Sequence, residues 1–155
     1  MGSKYNGSDK ELISLDSYII LSRATESINL KINRMLKEAG FTENQFKVID
    51  ALYHLGPLTQ KTLGEKLLTS GGNITMVIDN LEIRGLVKRI RGTDDRRLFS
   101  INLTKKGVRE TENILPKVVK MIIAEMKVLS NKEHKQLQLI CKRIGLKQKH
   151  LIYNP

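Results

Sequence analysis

The side chains best suited to chemistry in this sequence are cationic, and they cluster in one segment. Of 155 residues, 27 are lysine or arginine and 16 are aspartate or glutamate, which gives a formal net charge of +11. The segment 84–109 carries only two acids, Asp94 and Asp95, beside nine cations: Arg84, Lys88, Arg89, Arg91, Arg96, Arg97, Lys105, Lys106 and Arg109. An ordinary solvated face would mix both signs, so this segment predicts a binding site for a polyanion.

Covalent and metal chemistry have few candidate residues. The three histidines, His54, His134 and His150, are far apart in the sequence, and no P-loop or G-x-S-x-G motif is present. One cysteine, Cys141, cannot form an internal disulfide, and no cysteine or histidine spacing is typical of a structural zinc site. These observations predict a protein that is not an enzyme and that uses no metal or cofactor.

The environment of Cys141 supports two interpretations. The thiol lies among Leu137, Ile140 and Ile144, so we expect it to be buried and unreactive. Redox sensing is the alternative, because the cationic side chains at positions 142 and 143 favour a reactive thiolate.

The distribution of apolar residues bears on localisation. The longest uninterrupted apolar runs contain only four residues, which is too short for a membrane span or a signal-peptide core. With a single cysteine as well, the sequence predicts a cytoplasmic protein that does not bind membranes.

Capping motifs predict the first two helices. Ser8 and Glu11 form a capping box, and apolar residues then recur at helical spacing until Gly40. Thr42 and Gln45 start the second helix in the same way. The first helix is too long for a compact domain of this size unless part of it packs on something else.

The middle of the chain has the pattern of a helix-turn-helix. Thr59 is placed to cap a short helix, and a turn of small residues follows at 69–72. An amphipathic helix is then predicted from Asn73 to Arg84, ending at Gly85. Its polar face carries Asn73, Thr75, Met76, Asp79 and Asn80.

The residues after Gly85 change to strand periodicity. Segments 86–91 and 99–103 are rich in β-branched or alternating apolar residues, and a turn sequence at 92–95 separates them. Arg96 and Arg97 follow that turn, so a hairpin with arginines at its tip is predicted.

Two further helices are predicted in the C-terminal third. Thr104 can cap a long helix in which Pro116 marks either a bend or a new start. Ser130 and Glu133 form a third capping box before the last helix. No internal repeat or low-complexity linker divides the chain, so one cooperative unit is expected.

A helix-turn-helix followed by a basic hairpin is a winged helix, and duplex DNA suits each part. A helix fits the major groove, where Ser70, Asn73, Thr75 and Met76 at its start would reach the base edges. Thr75 and Met76 offer methyl contacts to thymine, and Asn73 can pair with adenine. Arginines at the hairpin tip suit a narrow minor groove.

The sequence resembles the MarR (multiple antibiotic resistance regulator) family. The run from Asp95 to Gly107 matches the D-x-R, five residues, L-T-x-x-G signature of that family without a gap. Gly56-Pro57-Leu58-Thr59, Gly72-Asn73-Ile74-Thr75 and the segment 81–87 are also similar to it. The wing departs from the pattern at Gly92-Thr93, where many members have Asp-Pro.

The resemblance implies a dimeric bacterial winged-helix transcription factor. The implied fold class is mainly α with a small β-hairpin wing (α+β), as a single domain over 1–155. Residues 42–104 would form the winged helix-turn-helix, and 8–40 and 105–150 the N- and C-terminal dimerisation helices. The expected function is a repressor that binds double-stranded DNA as a homodimer at a pseudo-palindromic operator.

The site residues follow from the same resemblance. Arg96 and Arg97 would enter the minor groove, and Asp95 would hold Arg97. The expected DNA-binding set is Thr59, Gln60, Ser70, Gly71, Asn73, Thr75, Met76, Arg84, Asp95, Arg96 and Arg97. Family members respond to small aromatic or lipophilic effectors, for which the candidate pocket walls are Tyr18, Met35, Phe46 and Tyr53.

A non-specific, basic protein that coats nucleic acid is the alternative function. Such a protein would bind through salt-dependent charge alone. Only four tyrosines, three phenylalanines and no tryptophan are present to stack on single strands, which favours a duplex partner.

Overall fold

A computed structural model describes residues 5–67, 70–91 and 99–145 of the chain. Within these residues it contains six helices and three short strands. The elements in chain order are α1 (Asp9–Glu38), α2 (Glu43–Leu55), β1 (Leu58–Thr59), α3 (Gln60–Leu67), α4 (Gly71–Ile83), β2 (Val87–Arg91), β3 (Phe99–Leu103), α5 (Lys105–Met126) and α6 (Asn131–Gly145). The predicted fold class, mainly helical with a small β wing, is confirmed.

The predicted helix starts are formed by local hydrogen bonds. The Ser8 N–H donates to Glu11 Oε2 at 2.8 Å, and the Ser130 N–H donates to Glu133 Oε2 at 2.7 Å. These bonds satisfy N–H groups that the first turn of a helix leaves without an intrahelical acceptor. They also hold the pKa of both glutamates below its ordinary value, because the hydrogen bonds favour the carboxylate.

Helix α4 begins two residues earlier than predicted. Ser70 occupies the N-cap position and its carbonyl accepts from the Ile74 N–H at 3.0 Å, so Gly71 and Gly72, expected in a turn, lie in the first helical turn. Glycine is unfavourable in a helix interior, but at a helix start it leaves the backbone accessible and Ser70 provides the N-cap. At the other end, Gly85 has φ +67° and terminates the helix as predicted.

The three strands form an antiparallel sheet in the order β1-β3-β2. Val87 pairs with Leu103 at one end of the β2–β3 ladder, and Arg91 pairs with Phe99 at the other. Strand β1 was not predicted from the sequence. It has only two residues, Leu58 and Thr59, and therefore no periodicity of its own.

The hydrophobic core lies between the C-terminal end of α1, helices α2 to α4, the sheet and the first half of α5. Leu36, Ile49, Leu63, Ile78 and Ile101 are completely buried in it. Pro116 was predicted to mark either a bend or the start of a new helix. It lies inside one continuous helix α5 and does not start a new one.

Gly107 sets how closely α5 approaches the end of α4. A Cβ atom at this position would lie 2.0 Å from the Leu86 carbonyl oxygen. The same junction is held by Thr104, whose hydroxyl donates to the Gly85 carbonyl at 2.7 Å and accepts from the Gly107 N–H at 3.0 Å. Only glycine fits where the two backbones meet this closely.

Helix α6 contradicts the expectation for Cys141. The helix has no buried residue, and Cys141 is exposed instead of buried. Its apolar neighbours Ile140 and Ile144 are also more than half exposed. The apolar spacing correctly indicated an apolar face, but in the described chain no other element covers that face.

None of the described helices is long and apolar enough to cross a membrane.

Candidate nucleic-acid interface

The start of helix α4 presents small and uncharged groups to solvent. Ser70, Gly71 and Gly72 are exposed, and the Met76 side chain is 59% exposed. The opposite face of the helix is anchored in the core by Ile74, Val77, Ile78 and Leu81. The first turn contains no acidic residue, so its backbone N–H groups and positive dipole end remain favourable for a phosphate or a base acceptor.

Gln60 and Thr75 connect the two helices of the helix-turn-helix. Gln60 Nε2 donates to Thr75 Oγ1 at 2.6 Å, and Thr75 Oγ1 donates to the Gly71 carbonyl at 2.9 Å. Thr59 is used within α3, where its Oγ1 accepts from the Thr62 N–H at 3.1 Å. The expected DNA-contacting residues Thr59, Gln60 and Thr75 therefore also have structural roles.

A groove of about 390 Å³ lies beside these residues, between α3 and α4. Its walls are formed by Gln60, Lys61, Gly64, Glu65, Gly71 and Ile74.

Arg84, expected to bind DNA, makes its observed contacts inside the protein. Its Nη1 donates to the Gly40 carbonyl at 2.9 Å and to Gln45 Oε1 at 3.1 Å. Its guanidinium carbon lies 4.2 Å from the centre of the Phe41 ring, which is a cation–π contact.

Arg89 is a site residue that sequence reasoning missed. Its side chain forms ion pairs with Asp79 and Glu82 of α4, and its N–H donates to Glu82 Oε1 at 2.9 Å. Burial of the guanidinium opposes its charge, but the hydrogen bonds outweigh this and raise the pKa of Arg89. The pairing offsets one of the two negative charges that would repel a phosphate backbone. The i, i+3 spacing of the two acids and the strand at 86–91 were both visible in the sequence, but the contact between that strand and α4 was not.

The exposed cations of the wing continue this surface. Lys88 and Arg91 on β2 are exposed, and the Arg91 guanidinium carbon lies 5.8 Å from the centre of the Phe99 ring. The expected minor-groove residues Asp95, Arg96 and Arg97 lie outside the described residues.

The four expected effector-binding residues lie in different environments. Tyr18 and Met35 are 17 positions apart on α1, a separation of about 25 Å along a helix. Phe46 is part of the core, whereas Tyr53 is 38% exposed and donates to Glu112 Oε1 at 3.3 Å. Met35 lines a surface pocket of about 360 Å³ together with Lys31, Arg34, Glu38 and Met121.

Three helices outside the winged region expose large apolar side chains. These are Ile13, Tyr18, Ile20, Leu21 and Leu30 on α1, Val119, Ile122 and Ile123 on α5, and Leu139, Ile140 and Ile144 on α6. Among the described residues, no group of histidine, cysteine, aspartate and glutamate could hold a metal ion.

Comparisons with known proteins identify the family to which this sequence belongs. Residues 41–99 match the MarR family. The HTH-type transcriptional regulator MhqR of Bacillus subtilis (strain 168) is 35% identical over 136 residues, covering 88% of this chain and 94% of MhqR.

Solved structures show the same fold. AbsC, a MarR family transcriptional regulator from Streptomyces coelicolor, has a TM-score of 0.81 at 17% identity, over 94% of this chain and 99% of AbsC. NadR in complex with 4-hydroxyphenylacetate has a TM-score of 0.72 at 24% identity, over 93% of this chain and 96% of NadR.

Proposed function

Because the chain belongs to the MarR family of transcriptional regulators, we propose that it binds a specific operator in double-stranded DNA as a homodimer and represses transcription there. The observation that carries this proposal is the exposed, uncharged start of α4, together with the exposed cations Lys88 and Arg91 of strand β2. Such a helix can read bases while the neighbouring cations bind phosphates.

The reading residues are Ser70, Gly71, Asn73, Thr75 and Met76 at the start of α4, placed in the major groove. Met76 is exposed and Asn73 is half-buried, so both can contact base edges while the other face stays in the core. Arg96 and Arg97 bind the adjacent minor groove, with Asp95 holding Arg97 in place.

The homodimer is supported by the exposed apolar side chains of α1, α5 and α6. Large apolar surfaces are uncommon on monomers, and a second copy related by a two-fold axis would cover the same patch on both chains. Such a dimer predicts two half-sites whose centres lie about 10 base pairs, or a multiple of that, apart.

We further propose that a small aromatic weak acid relieves DNA binding. NadR binds 4-hydroxyphenylacetate. The pocket at Met35 here is lined by two methionines, the cations Lys31 and Arg34 and the acid Glu38, and Lys31 is paired with Glu125 at 2.6 Å. An aromatic ring and its anionic group would find apolar and cationic partners there.

The function is tested by selecting duplexes from random DNA with the purified full-length protein. Recovery of a pseudo-palindromic consensus supports a specific regulator, whereas recovery without a consensus would favour the non-specific coating protein. Titration with 4-hydroxyphenylacetate on the selected duplex then tests the effector, with the uncharged 4-hydroxyphenylacetamide as the matched control.

A further inference from the structure

We propose that Arg84 is a positioning residue, which holds helix α4 in its DNA-reading orientation against the junction of α1 and α2, and that it is not a phosphate contact. This inference rests on the proposed DNA-binding function. It assigns to Arg84 a role different from that of the exposed wing cations Lys88 and Arg91.

The guanidinium is directed into the protein by three contacts. Both Nη1 protons are used, one on the Gly40 carbonyl and one on Gln45 Oε1, at 2.9 and 3.1 Å. The Phe41 ring packs against its face at 4.2 Å. All three partners are uncharged, so their positions, more than a net charge, determine where Arg84 lies.

The junction that receives Arg84 is rigid. The Gly40 N–H donates to the Lys37 carbonyl at 3.0 Å and the Phe41 N–H to the Leu36 carbonyl at 2.8 Å, which closes the end of α1. Phe41 is only 3% exposed. Gln45 Oε1 is also fixed, since it accepts from the Thr42 N–H at 3.1 Å in the capping box of α2.

The backbone of Arg84 is equally constrained, as the C-cap of α4. The Leu86 N–H donates to the Leu81 carbonyl at 2.9 Å, and Lys106 Nζ donates to the Arg84 carbonyl at 2.9 Å. Arg84 therefore joins the end of the reading helix to α1, α2 and α5 through one residue.

The length of α4 amplifies any movement at this joint. Its 13 residues span about 18 Å, so a rotation of about 5° at Arg84 displaces the start of the helix by about 1.5 Å. Hydrogen bonds to bases tolerate displacements of only about 0.5 Å, so base discrimination depends on the joint.

Lysine cannot replace arginine in this arrangement. An ammonium group keeps the charge and could still bind a phosphate, but it has no planar face that lies against the Phe41 ring while its N–H groups donate to Gly40 and Gln45. The variants Arg84→Lys and Arg84→Met therefore separate the two roles. The matched control for a phosphate contact is Lys88→Met.

The test measures affinity for the duplex selected from random DNA and for a scrambled duplex of equal length, across a salt titration. We expect Arg84→Lys and Arg84→Met both to lower the selected-to-scrambled affinity ratio by about tenfold, because mispositioned base contacts are lost. The slope of log affinity against log salt stays that of the wild type. Lys88→Met should instead weaken both duplexes alike and reduce that slope by about 1.

Opposite results would overturn the proposal. Arg84 would be a phosphate contact if Arg84→Lys kept the wild-type ratio of selected-to-scrambled affinity and Arg84→Met reduced the slope of log affinity against log salt by about 1. If both variants keep the wild-type affinity ratio and salt slope, Arg84 does not position helix α4.

A second variant and a DNA-free measurement guard against misfolding or failure of the proposed function. Gln45→Met removes one acceptor of Arg84, whereas Gln45→Glu keeps it. Amide hydrogen exchange at residues 78–86, measured without DNA, should accelerate in Gln45→Met and Arg84→Lys but not in Gln45→Glu. Unchanged exchange in both Gln45→Met and Arg84→Lys would contradict the proposal, even if the protein showed no preference for a DNA sequence.

Discussion

The Thr75 hydroxyl already makes two hydrogen bonds within the protein in the absence of DNA. It donates to the Gly71 carbonyl and accepts from Gln60, so it has no proton left for a base acceptor. The methyl group remains available as the distinctive contact. We therefore expect Thr75 to recognise the methyl group of a thymine.

Thr75→Val should keep this preference and Thr75→Ser should lose it. Replacing the contacted thymine with deoxyuridine should weaken wild type and Thr75→Val by about fourfold, the value of one buried methyl group. Competition binding with a series of single deoxyuridine replacements provides the measurement. If Thr75→Ser responds to deoxyuridine as strongly as wild type does, the methyl contact is wrong.

Asp50 makes stability depend on pH. Burial raises the pKa of its carboxyl, although the ion pair with His54, at 3.3 Å from Nε2 to Oδ1, opposes the rise. The folded-state pKa then exceeds the unfolded value of about 3.9, so the folded state binds more protons between the two values. The contribution of Asp50 to stability therefore falls as pH rises through this window.

We expect Asp50→Asn to be more stable relative to wild type at pH 7 than at pH 3. The predicted gain across this range is small, since the carboxylate is only partly buried. Urea unfolding at several pH values measures it. A difference that stays constant with pH would show that the charge of Asp50 is not involved.

At the scale of elements, the contact between α5 and the end of α4 depends on Gly107. A methyl group added there would meet the Leu86 carbonyl oxygen at 2.0 Å, so one of the two backbones must shift. We expect Gly107→Ala to lower the free energy of unfolding by about 1–3 kcal/mol. Urea unfolding monitored by circular dichroism tests this.

Gly71→Ala is the matched control for that substitution. Gly71 also lies in the first turn of a helix, but a Cβ atom there meets nothing within 4 Å. Its stability should stay within about 0.5 kcal/mol of wild type. Alanine favours a helix over glycine at both positions, so helix propensity cannot cause a loss. Equal losses in the two variants would therefore show that the close approach to Leu86 does not determine the effect.

Sequence reasoning succeeded where structure is set locally. The capping box at Ser8 and the helix stop at Gly85 involve residues within a few positions of each other, so their types and spacing are sufficient. Strand β1 and the inward contacts of Arg84 depend on residues more than 35 positions away, which no local pattern encodes. Burial of Cys141 was wrong because periodicity reveals an apolar face but not its partner.

At the scale of the whole molecule, the net charge of +11 is concentrated near the wing. The nine cations and two acids of segment 84–109 contribute seven of these charges. Arg84 and Arg89, however, are used inside the protein. Arg89 is offset by Asp79 and Glu82, which lie outside the segment, so the net charge of this surface is smaller than the seven charges of the segment.

The exposed apolar side chains predict how the molecule assembles. Ile123→Glu on α5 and Ile140→Glu on α6 should each shift the proposed homodimer toward monomer, because a carboxylate would be buried without a partner. Sedimentation equilibrium should show at least a tenfold higher dissociation constant. Ile83→Glu is the matched control, since Ile83 is 84% exposed at the end of α4. A dimer unchanged by both variants would exclude α5 and α6 from the interface.

The exposed start of α4 has a consequence for how regulators of this kind diversify. Its outward residues are separate from the core face and from the cations of the wing, so substitutions such as Met76→Gln leave both folding and phosphate binding in place. Under the proposed function, a duplicated copy of the gene acquires a new operator through a few surface changes. Target choice can evolve in this protein without passing through an unstable or non-binding ancestor.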